Sequence, residues 1–335
     1  MGGAETRRVA AAFAPDVGAV ERFGGGHIND TFLVDTAAGQ LVMQRVNTAV
    51  FGDPEAVTAN IAVVHRHLGG AGLPEPVPTA DGRWLLQDAS GAWRAWRRVP
   101  GAAPVPVPTP AVAREAARLL GGFHRGVAGL DPAALVETLP GFHDPARRLA
   151  ALRAVAADDP CGRADGVAAE IGAAEAGEPL AARAADLAAR VPRRVCHYDA
   201  KLDNVLFSPD GEAVCLVDLD TVMPGAWFWD VGDLLRSAAT TAAEDEPDPS
   251  LVTVEPALYQ AILDGYAGGL GPDVATPAET EAVGYAGAIV TYEQAVRFLT
   301  DWIAGDVYYR ISRPAQNLDR ARAQFRLLAS MPAGI

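Results

Sequence analysis

Acidic side chains cluster in one short stretch of the sequence and in a segment shortly after it. The stretch reads HYDAKLDN (residues 197–204) and the later segment reads VDLDT (residues 217–221). Between them lie two short apolar runs separated by Ser208-Pro209-Asp210-Gly211, a turn sequence that predicts a hairpin. The hairpin would bring Asp199, Asp203, Asp218 and Asp220 to one end, where close carboxylates need a counter-cation. Their oxygens are the ligands that Mg²⁺ prefers, so the sequence indicates a magnesium site.

The spacing of these residues matches the arrangement that kinases use for phosphoryl transfer. In that arrangement an Asp on a loop accepts the substrate hydroxyl proton, an Asn five residues later holds metal, and an Asp after the next hairpin chelates magnesium. Asp199, Asn204 and Asp218 fill the three positions. Lys201, two residues after the first Asp, could neutralise the transferring phosphoryl group. It is the only lysine of the chain.

Composition excludes several other classes of protein. The chain has 335 residues and a formal net charge of −14, which argues against nucleic-acid and anionic-membrane binding. A single lysine leaves no candidate for a Walker-type phosphate loop or a pyridoxal Schiff base, because the surroundings of Lys201 fit neither. The sequence shows no signal-peptide run, no apolar stretch of membrane-spanning length and only three cysteines, which we interpret as reduced thiols. A cytoplasmic protein is expected.

The elements that must position these residues divide the chain into two lobes. Short apolar runs separated by glycine turns over residues 17–46 predict an antiparallel meander. A helix is predicted from Asp53 as N-cap to about Leu68, and strands over 84–88 and 92–99. Residues 100–110 contain five prolines and predict a connector. Helices are predicted over 111–126, 145–157, 166–190, 255–268, 276–305 and 314–329.

The expected fold class is therefore α+β. A small antiparallel β-rich N-terminal lobe (residues 1–99) would precede the connector (100–110) and a larger, mainly α-helical C-terminal lobe (111–335). A cleft between two lobes is a usual place for a small-molecule site.

The catalytic spacing resembles the aminoglycoside phosphotransferase and choline kinase group of kinase-like small-molecule phosphotransferases. Four further stretches resemble the N-acetylhexosamine 1-kinases, and the similarity runs over nearly the whole chain. They are GGGHINDT (24–31), MQRVN (43–47), DLDTVMPG (218–225) and RFLTD (297–301). The resemblance implies a bilobal, protein-kinase-like fold and an enzyme that uses ATP and Mg²⁺.

Roles for individual residues follow from this resemblance. Asp199 would be the general base, or at least the orienter, of the attacking hydroxyl; Asn204 and Asp218 would hold Mg²⁺. His197 would brace the loop, and Asp230 would hydrogen-bond it, although Asp230 could instead be a helix N-cap. The turn Gly24-Gly25-Gly26 would cover the nucleotide phosphates, since residues without a Cβ allow close backbone approach.

The phosphate-holding cation departs from the kinase pattern. Kinases place a lysine on the third strand, paired with a helix glutamate. The third strand here contains no lysine, so we expect Arg45 to take this role. The position of the helix glutamate corresponds to Asn60, where a hydrogen bond would replace the ion pair.

Substrate recognition is expected from residues of the same family-like stretches. His27, Asn29, Asp30 and Asp220 are candidates to face the sugar, and the first three could instead brace the glycine turn. Arg297 and Asp301 lie one helical turn apart and could form an internal ion pair or bind sugar hydroxyls.

The expected function is ATP- and Mg²⁺-dependent phosphorylation of the anomeric hydroxyl of an N-acetylhexosamine. Two alternatives stay open at this point: a phosphotransferase for another small alcohol, such as another sugar, an aminoglycoside or a choline-like compound, and a non-catalytic nucleotide-binding regulator. The sequence does not choose the sugar epimer, ATP over GTP, or an oligomeric state.

Overall fold

An antiparallel sheet dominates the N-terminal part of the protein. The computed structural model describes residues 3–24 and 28–332, and within these residues six strands form this sheet. The strands are β1 (Val20–Arg22), β2 (Asp30–Thr36), β3 (Gly39–Val46), β4 (Pro76–Val77), β5 (Leu86–Asp88) and β6 (Gly91–Arg97). Their order is β1-β2-β3-β6-β4, with β5 paired to β6. All these pairings are antiparallel, as the meander over 17–46 predicts.

The two faces of this sheet pack against different helices. Helix α1 (Gly3–Phe13), which the sequence did not predict, packs on the face that carries Leu41 and Met43. Helix α2 (Pro54–Leu68) packs with Val46 and Trp96 on the other face. Because successive side chains of a strand point to opposite faces, odd positions of β3 lie towards α1 and even positions towards α2.

The predicted start of α2 is confirmed in its capping geometry. The Asp53 carboxylate accepts a hydrogen bond from the backbone N–H of Ala56 at 2.9 Å, and Pro54 begins the helix. The helix ends at Gly69, whose φ of 59° places it in the left-handed region that glycine tolerates.

The rest of the chain is mainly helical. Its helices are α3 (Pro110–Val127), α4 (Pro145–Asp158), α5 (Ala168–Ala176), α6 (Glu178–Arg190), α7 (Trp227–Ala238), α8 (Pro256–Leu270), α9 (Pro277–Ala304) and α10 (Gln316–Ser330). Their apolar faces form a core that continues into the contacts of α2 and the sheet. Among the described helices, none has the length and apolarity needed to cross a bilayer. The predicted α+β fold class is confirmed; the lobe boundary at residues 100–110 stays a prediction.

One helix prediction is wrong. A single helix over residues 166–190 is expected from the sequence, but the structure divides it into α5 and α6 at Gly177. A Cβ on Gly177 would lie 2.2 Å from the ring of Tyr292 in α9, so the absence of a side chain at this position lets α9 pack closely. Pro179 in the first turn of α6 also favours a helix start there.

Two small strand pairs lie between α6 and α7 and carry the acidic segments. Strands β8 (Val205–Phe207) and β9 (Ala213–Leu216) form the predicted hairpin. Strand β7 (Arg194–Cys196) pairs with β10 (Met223–Gly225), which brings the segment before HYDAKLDN beside the segment after VDLDT. The proline-rich connector contacts this region through a bridge between Ala103 and Phe207.

Candidate active site

Asp199, Lys201 and Asn204 form one hydrogen-bonded group on the loop between β7 and β8. The Lys201 Nζ lies 2.7 and 3.0 Å from the two Asp199 carboxylate oxygens. The Asn204 amide donates to the Asp199 carboxylate at 2.8 Å and to its backbone carbonyl at 2.7 Å. Burial alone would raise the pKa of Asp199, but the charge and hydrogen bonds of Lys201 outweigh it, and the pKa falls to about 2. Asp199 is therefore ionised at neutral pH.

Asp218 stands beside this group because the hairpin closes there. The backbone N–H of Val217 donates to the carbonyl of Asn204 at 2.9 Å, so Asn204 and Asp218 flank the open end of β8 and β9. Asp218 has a φ of 64°, in the left-handed region that Asp tolerates better than most residues. Desolvation by the surrounding protein, together with the negative charges of Asp220 and Asp199, raises the pKa of Asp218 to about 7, although its side chain is open to solvent. The positive charges of Lys201 and Arg94 offset this effect only in part.

The residues present fit a magnesium ion that is shared with a phosphate ligand. Within the described parts of the chain, no group of three or more His, Cys, Asp or Glu side chains is arranged to hold a metal by itself. Mg²⁺ commonly takes one or two carboxylates together with waters and substrate phosphates. A divalent cation beside Asp218 would relieve the crowding that raises the pKa of this carboxyl group.

A buried network below the loop holds it in place. The Asp230 carboxylate accepts hydrogen bonds from the backbone N–H groups of His197 and Tyr198, each at 2.7 Å, and from His124 Nε2 at 2.8 Å. Helix α7 has Ala226 at its N-cap, so Asp230 is no cap and the predicted contact with the loop is confirmed. The His197 ring accepts from the Asp199 N–H at 3.3 Å and donates to the Val217 carbonyl at 3.0 Å, which joins the loop to the hairpin as expected.

The structure places Arg45 and Arg94 on opposite faces of the sheet. Arg45 shares the face of Met43, next to Gly91, and lies 6.0 Å from the centre of the Trp93 ring. It is not brought to Asp199 and Asp218. Arg94 of β6 is aligned with Gln44 on the other face, is 2% exposed and forms an ion pair with Asp220. The sequence interpretation missed this cation.

Asn60 does not pair with Arg45. Its amide donates to the carbonyls of Val222 at 2.9 Å and Val136 at 2.7 Å, and its oxygen accepts from the Val136 N–H at 2.9 Å. These bonds fasten α2 to the segment that follows Asp220. Asn60 therefore joins helix α2 to the segments around Val136 and Val222.

The glycine turn is described only in part. Gly24 has a φ of 71°, whereas Gly25, Gly26 and His27 lie outside the described residues, as do the roles predicted for them. Asn29, two residues after His27, is buried; it donates to Asp220 at 2.7 Å and accepts from the Asn47 N–H at 2.9 Å.

Asp30 and Asp220 both have protein partners. Asp30 pairs with Arg22 of the neighbouring strand at 3.2 Å. Asp220 is 2% exposed and is engaged by Arg94 and Asn29. The contacts of Asp220 link the sheet to the segment that carries Asp218, whereas the ion pair of Asp30 lies within the sheet.

Arg297 and Asp301 serve different purposes, and the ion pair between them is not formed. Asp301 accepts from the backbone N–H groups of Val307, Tyr308 and Tyr309 at 2.8 to 2.9 Å and thus shapes the loop after α9. The Arg297 guanidinium lies 5.3 to 5.9 Å from the centres of three aromatic rings, those of Phe142, Tyr308 and Tyr309. The charge of Asp199 is among those that raise the pKa of Arg297 against the effect of burial, so the two side chains lie within electrostatic reach of each other.

One sequence signal could have found Arg94. The run Ala92-Trp93-Arg94-Ala95-Trp96 places one arginine in the middle of an otherwise apolar strand, and all five residues are buried. A charge in such a position needs a partner from another part of the fold. For Phe142, Tyr308 and Tyr309 we find no such signal, because they come from distant loops.

Comparison with known proteins identifies the class of enzyme to which this site belongs. A family model described as APH, phosphotransferase enzyme family, matches residues 19–277. The chain belongs to this family and is a phosphotransferase.

Solved structures show the same fold at low identity. Spectinomycin phosphotransferase in complex with ADP and spectinomycin matches with a TM-score of 0.67 and 10% identity, covering 99% of this chain and 97% of that chain. Amicoumacin kinase in complex with AMP-PNP, Ca²⁺ and its ligand gives 0.64 and 14%, over 97% and 93% of the two chains. Choline kinase LicA from Streptococcus pneumoniae gives 0.61 and 16%, over 98% and 99%.

Proposed function

We propose that this phosphotransferase uses ATP and Mg²⁺ to phosphorylate the anomeric hydroxyl of an N-acetylhexosamine, giving the sugar 1-phosphate. The observation that carries the proposal is the group formed by Asp199, Lys201 and Asn204, with Asp218 across the open end of the hairpin. The solved relatives with bound ADP or AMP-PNP support a nucleotide donor.

Asp199 acts on the acceptor hydroxyl mainly by orienting it. A carboxylate whose pKa is about 2 is a weak base at neutral pH, but it accepts a hydrogen bond well. Phosphoryl transfer through a loose transition state needs positioning and charge stabilisation more than early proton removal. As the new P–O bond to the acceptor oxygen forms, the bond between the γ-phosphorus and the β–γ bridging oxygen would break, ADP would leave, and the hydroxyl proton would move towards Asp199.

Charge stabilisation falls to Lys201 and to the residues that would hold magnesium. Asn204 and Asp218 would hold the metal, which when bound neutralises charge on the donor phosphates. The Lys201 ammonium, 2.7 Å from Asp199, would neutralise charge on the transferring phosphoryl group. Its own pKa is raised because the carboxylates of Asp199, Asp218 and Asp233 outweigh the effect of burial, so it stays charged.

Arg297 and its aromatic neighbours support a neutral, polar acceptor. A guanidinium donates several hydrogen bonds in one plane, which suits the hydroxyl and amide-carbonyl oxygens of an N-acetylated sugar. The rings of Phe142, Tyr308 and Tyr309 around it offer apolar faces against which a sugar ring packs. A fixed positive charge at this position disfavours a cationic acceptor.

The second candidate is transfer to another small alcohol, which the spectinomycin, amicoumacin and choline enzymes among the relatives favour. A panel of acceptors followed by ³¹P NMR distinguishes the two. We expect a phosphomonoester coupled to the anomeric proton with N-acetylglucosamine or N-acetylgalactosamine, and no product when magnesium is chelated. Phosphate on another hydroxyl, or product only with choline or an aminoglycoside, would refute the sugar 1-kinase. Nucleotide binding without transfer to any acceptor would indicate a regulator.

A further inference from the structure

Arg94 is held at the centre of a buried polar cluster between the sheet and the segment that carries Asp218. Its Nε donates to the Gln44 side-chain oxygen at 3.0 Å, and one terminal nitrogen forms the ion pair with Asp220. The indole N–H of Trp96 donates to the same Gln44 oxygen at 3.0 Å, which fixes the orientation of Gln44. Arg94 therefore has little freedom to move.

One part of this buried cation has no hydrogen-bond partner. The second terminal nitrogen, Nη1, is fully buried and unpartnered within residues 3–24 and 28–332. An unpaired donor on a buried charged group costs free energy, and native proteins supply an acceptor at nearly all such positions. The planar guanidinium, already bound to one carboxylate, is suited to bind a second anionic oxygen, such as that of a phosphate.

The surroundings of Arg94 include the segment that carries the proposed metal ligand Asp218. Its ion-pair partner Asp220 lies two residues after Asp218, and the charge of Arg94 acts on Asp218 as well. Asp220 is also bound by Asn29, three residues after Gly26. Arg94 thus shares its carboxylate partner with Asn29 and lies near the segment that carries the proposed metal ligand.

We propose that Arg94 holds the phosphates of the donor nucleotide, in place of the third-strand lysine of other kinases. Gln44, at the even position of β3, orients the arginine that β6 supplies. The assignment rests on the proposed function, because it requires a nucleotide donor. Arg45, on the opposite face of β3, would then be a structural residue that packs on Trp93.

Nucleotide binding measured by calorimetry tests this assignment without turnover. Because Arg94→Met alone would leave Asp220 buried and unpaired, the principal variant is Arg94→Met with Asp220→Asn, and Asp220→Asn alone is its control. We expect the double variant to bind Mg²⁺–ADP about tenfold more weakly or worse than wild type, the usual effect of losing a charge-assisted hydrogen bond. Adenosine, which has no phosphate, should bind with unchanged affinity.

Two further variants complete the comparison. Arg94→Lys keeps the charge and loses the forked donor set, so its affinity for ADP should fall between those of wild type and the double variant. If the double variant does not fold, Arg94→Lys tests the phosphate contact in its place. Arg45→Met should keep ADP affinity within about twofold, since it removes no proposed phosphate contact. Asp220→Asn removes the ion-pair partner of Arg94, so its own effect on ADP affinity is subtracted from that of the double variant.

Three results would overturn the role of Arg94 alone. The first is normal ADP affinity in the double variant, or in Arg94→Lys if the double variant is unfolded. The second is an equal loss of ADP and adenosine affinity, which would indicate only a structural role. The third is a loss of ADP affinity in Arg45→Met. If wild type binds no nucleotide, the proposed function fails and the role of Arg94 fails with it.

Discussion

The protein contains two regions of buried or crowded aspartates that differ in how their charge is balanced. Asp230, below the catalytic loop, is fully buried, and three donors satisfy its carboxylate. These donors outweigh the effect of burial and lower the pKa of Asp230. Asp218, in the cleft, is surrounded by other carboxylates, and its pKa is raised to about 7.

This difference distinguishes an aspartate that supports the loop from one that is available to bind a ligand. A saturated carboxylate such as Asp230 holds the backbone of the loop at fixed positions and has no capacity left for a ligand. The carboxylate of Asp218 has an unbalanced charge, which a metal ion with bound phosphate would balance. A cluster of carboxylates whose negative charge is not fully balanced within the protein is thus the part of the molecule that recognises ligands.

The largest effect on the cleft region is expected for Asp199→Asn. The amide cannot accept the hydroxyl proton and loses the ion pair with Lys201, so turnover should fall by about 10³-fold. Steady-state kinetics with ATP and the sugar measure this, and calorimetry should show nucleotide affinity within a few-fold of wild type. Asp210→Asn, on the exposed turn of the same hairpin, is the matched control and should keep full turnover. Near-normal turnover of Asp199→Asn would remove Asp199 from the mechanism.

For the supporting region, Asp230→Ala should reduce the free energy of unfolding by about 3 kcal/mol or more. The change leaves two backbone N–H groups and His124 Nε2 buried without their acceptor. Urea unfolding measures the loss. Asp186→Ala, which removes an exposed carboxylate from the surface of α6, should change stability by no more than about 0.5 kcal/mol. Equal stability of the two variants would mean that Asp230 does not support the loop.

Lys201→Ala should lower turnover by about tenfold to a hundredfold and leave the fold stable. The variant removes the positive charge 2.7 Å from Asp199, where negative charge develops during transfer. The comparison variant is Arg193→Ala, which removes an exposed cation and should leave the rate constant unchanged. A Lys201→Ala enzyme with wild-type turnover would reduce the lysine to a structural partner of Asp199.

The smallest effect concerns the pH dependence of stability. Burial lowers the pKa of His124 below its ordinary value, despite the opposing effect of Asp230. Below the unfolded-state pKa of about 6.5, the unfolded chain therefore binds more protons at this residue, and stability falls as the pH falls. His124→Gln should reduce the slope of unfolding free energy against pH between the two pKa values by at most about 1.4 kcal/mol per unit. An unchanged slope would show that His124 does not control this pH range.

Much of the catalytic loop could be predicted from sequence because its residues are close in the chain. Asp199, Lys201 and Asn204 lie within six positions, and a turn of known chemistry returns the chain to Asp218. The caps of α2 and α9 are local as well: Asp53 binds Ala56, and Thr276 with Glu279 forms a capping box. In each case the partners are separated by a few residues, so local geometry suffices.

The sheet side of the cleft was predicted less well because it depends on which face a residue occupies. Arg45 and Gln44 are adjacent in the sequence but lie on opposite faces of β3. Helix α1 and helix α2, which cover these faces, come from segments on either side of β3. A one-residue difference in register exchanges the two faces, and the sequence of β3 alone does not exclude it.

The order of helices and strands, the hairpin and the set of residues that can do phosphoryl chemistry follow from local patterns in the sequence. Contacts between distant segments settle that Arg94 meets Asp220 while Arg45 lies on the opposite face of the sheet, that Asp301 shapes a loop, and that the helix is interrupted at Gly177. The two groups of features differ in how far apart along the chain the interacting residues lie. Turns and helix caps form between neighbours, whereas buried ion pairs and close helix contacts depend on packing between residues that are far apart in the sequence.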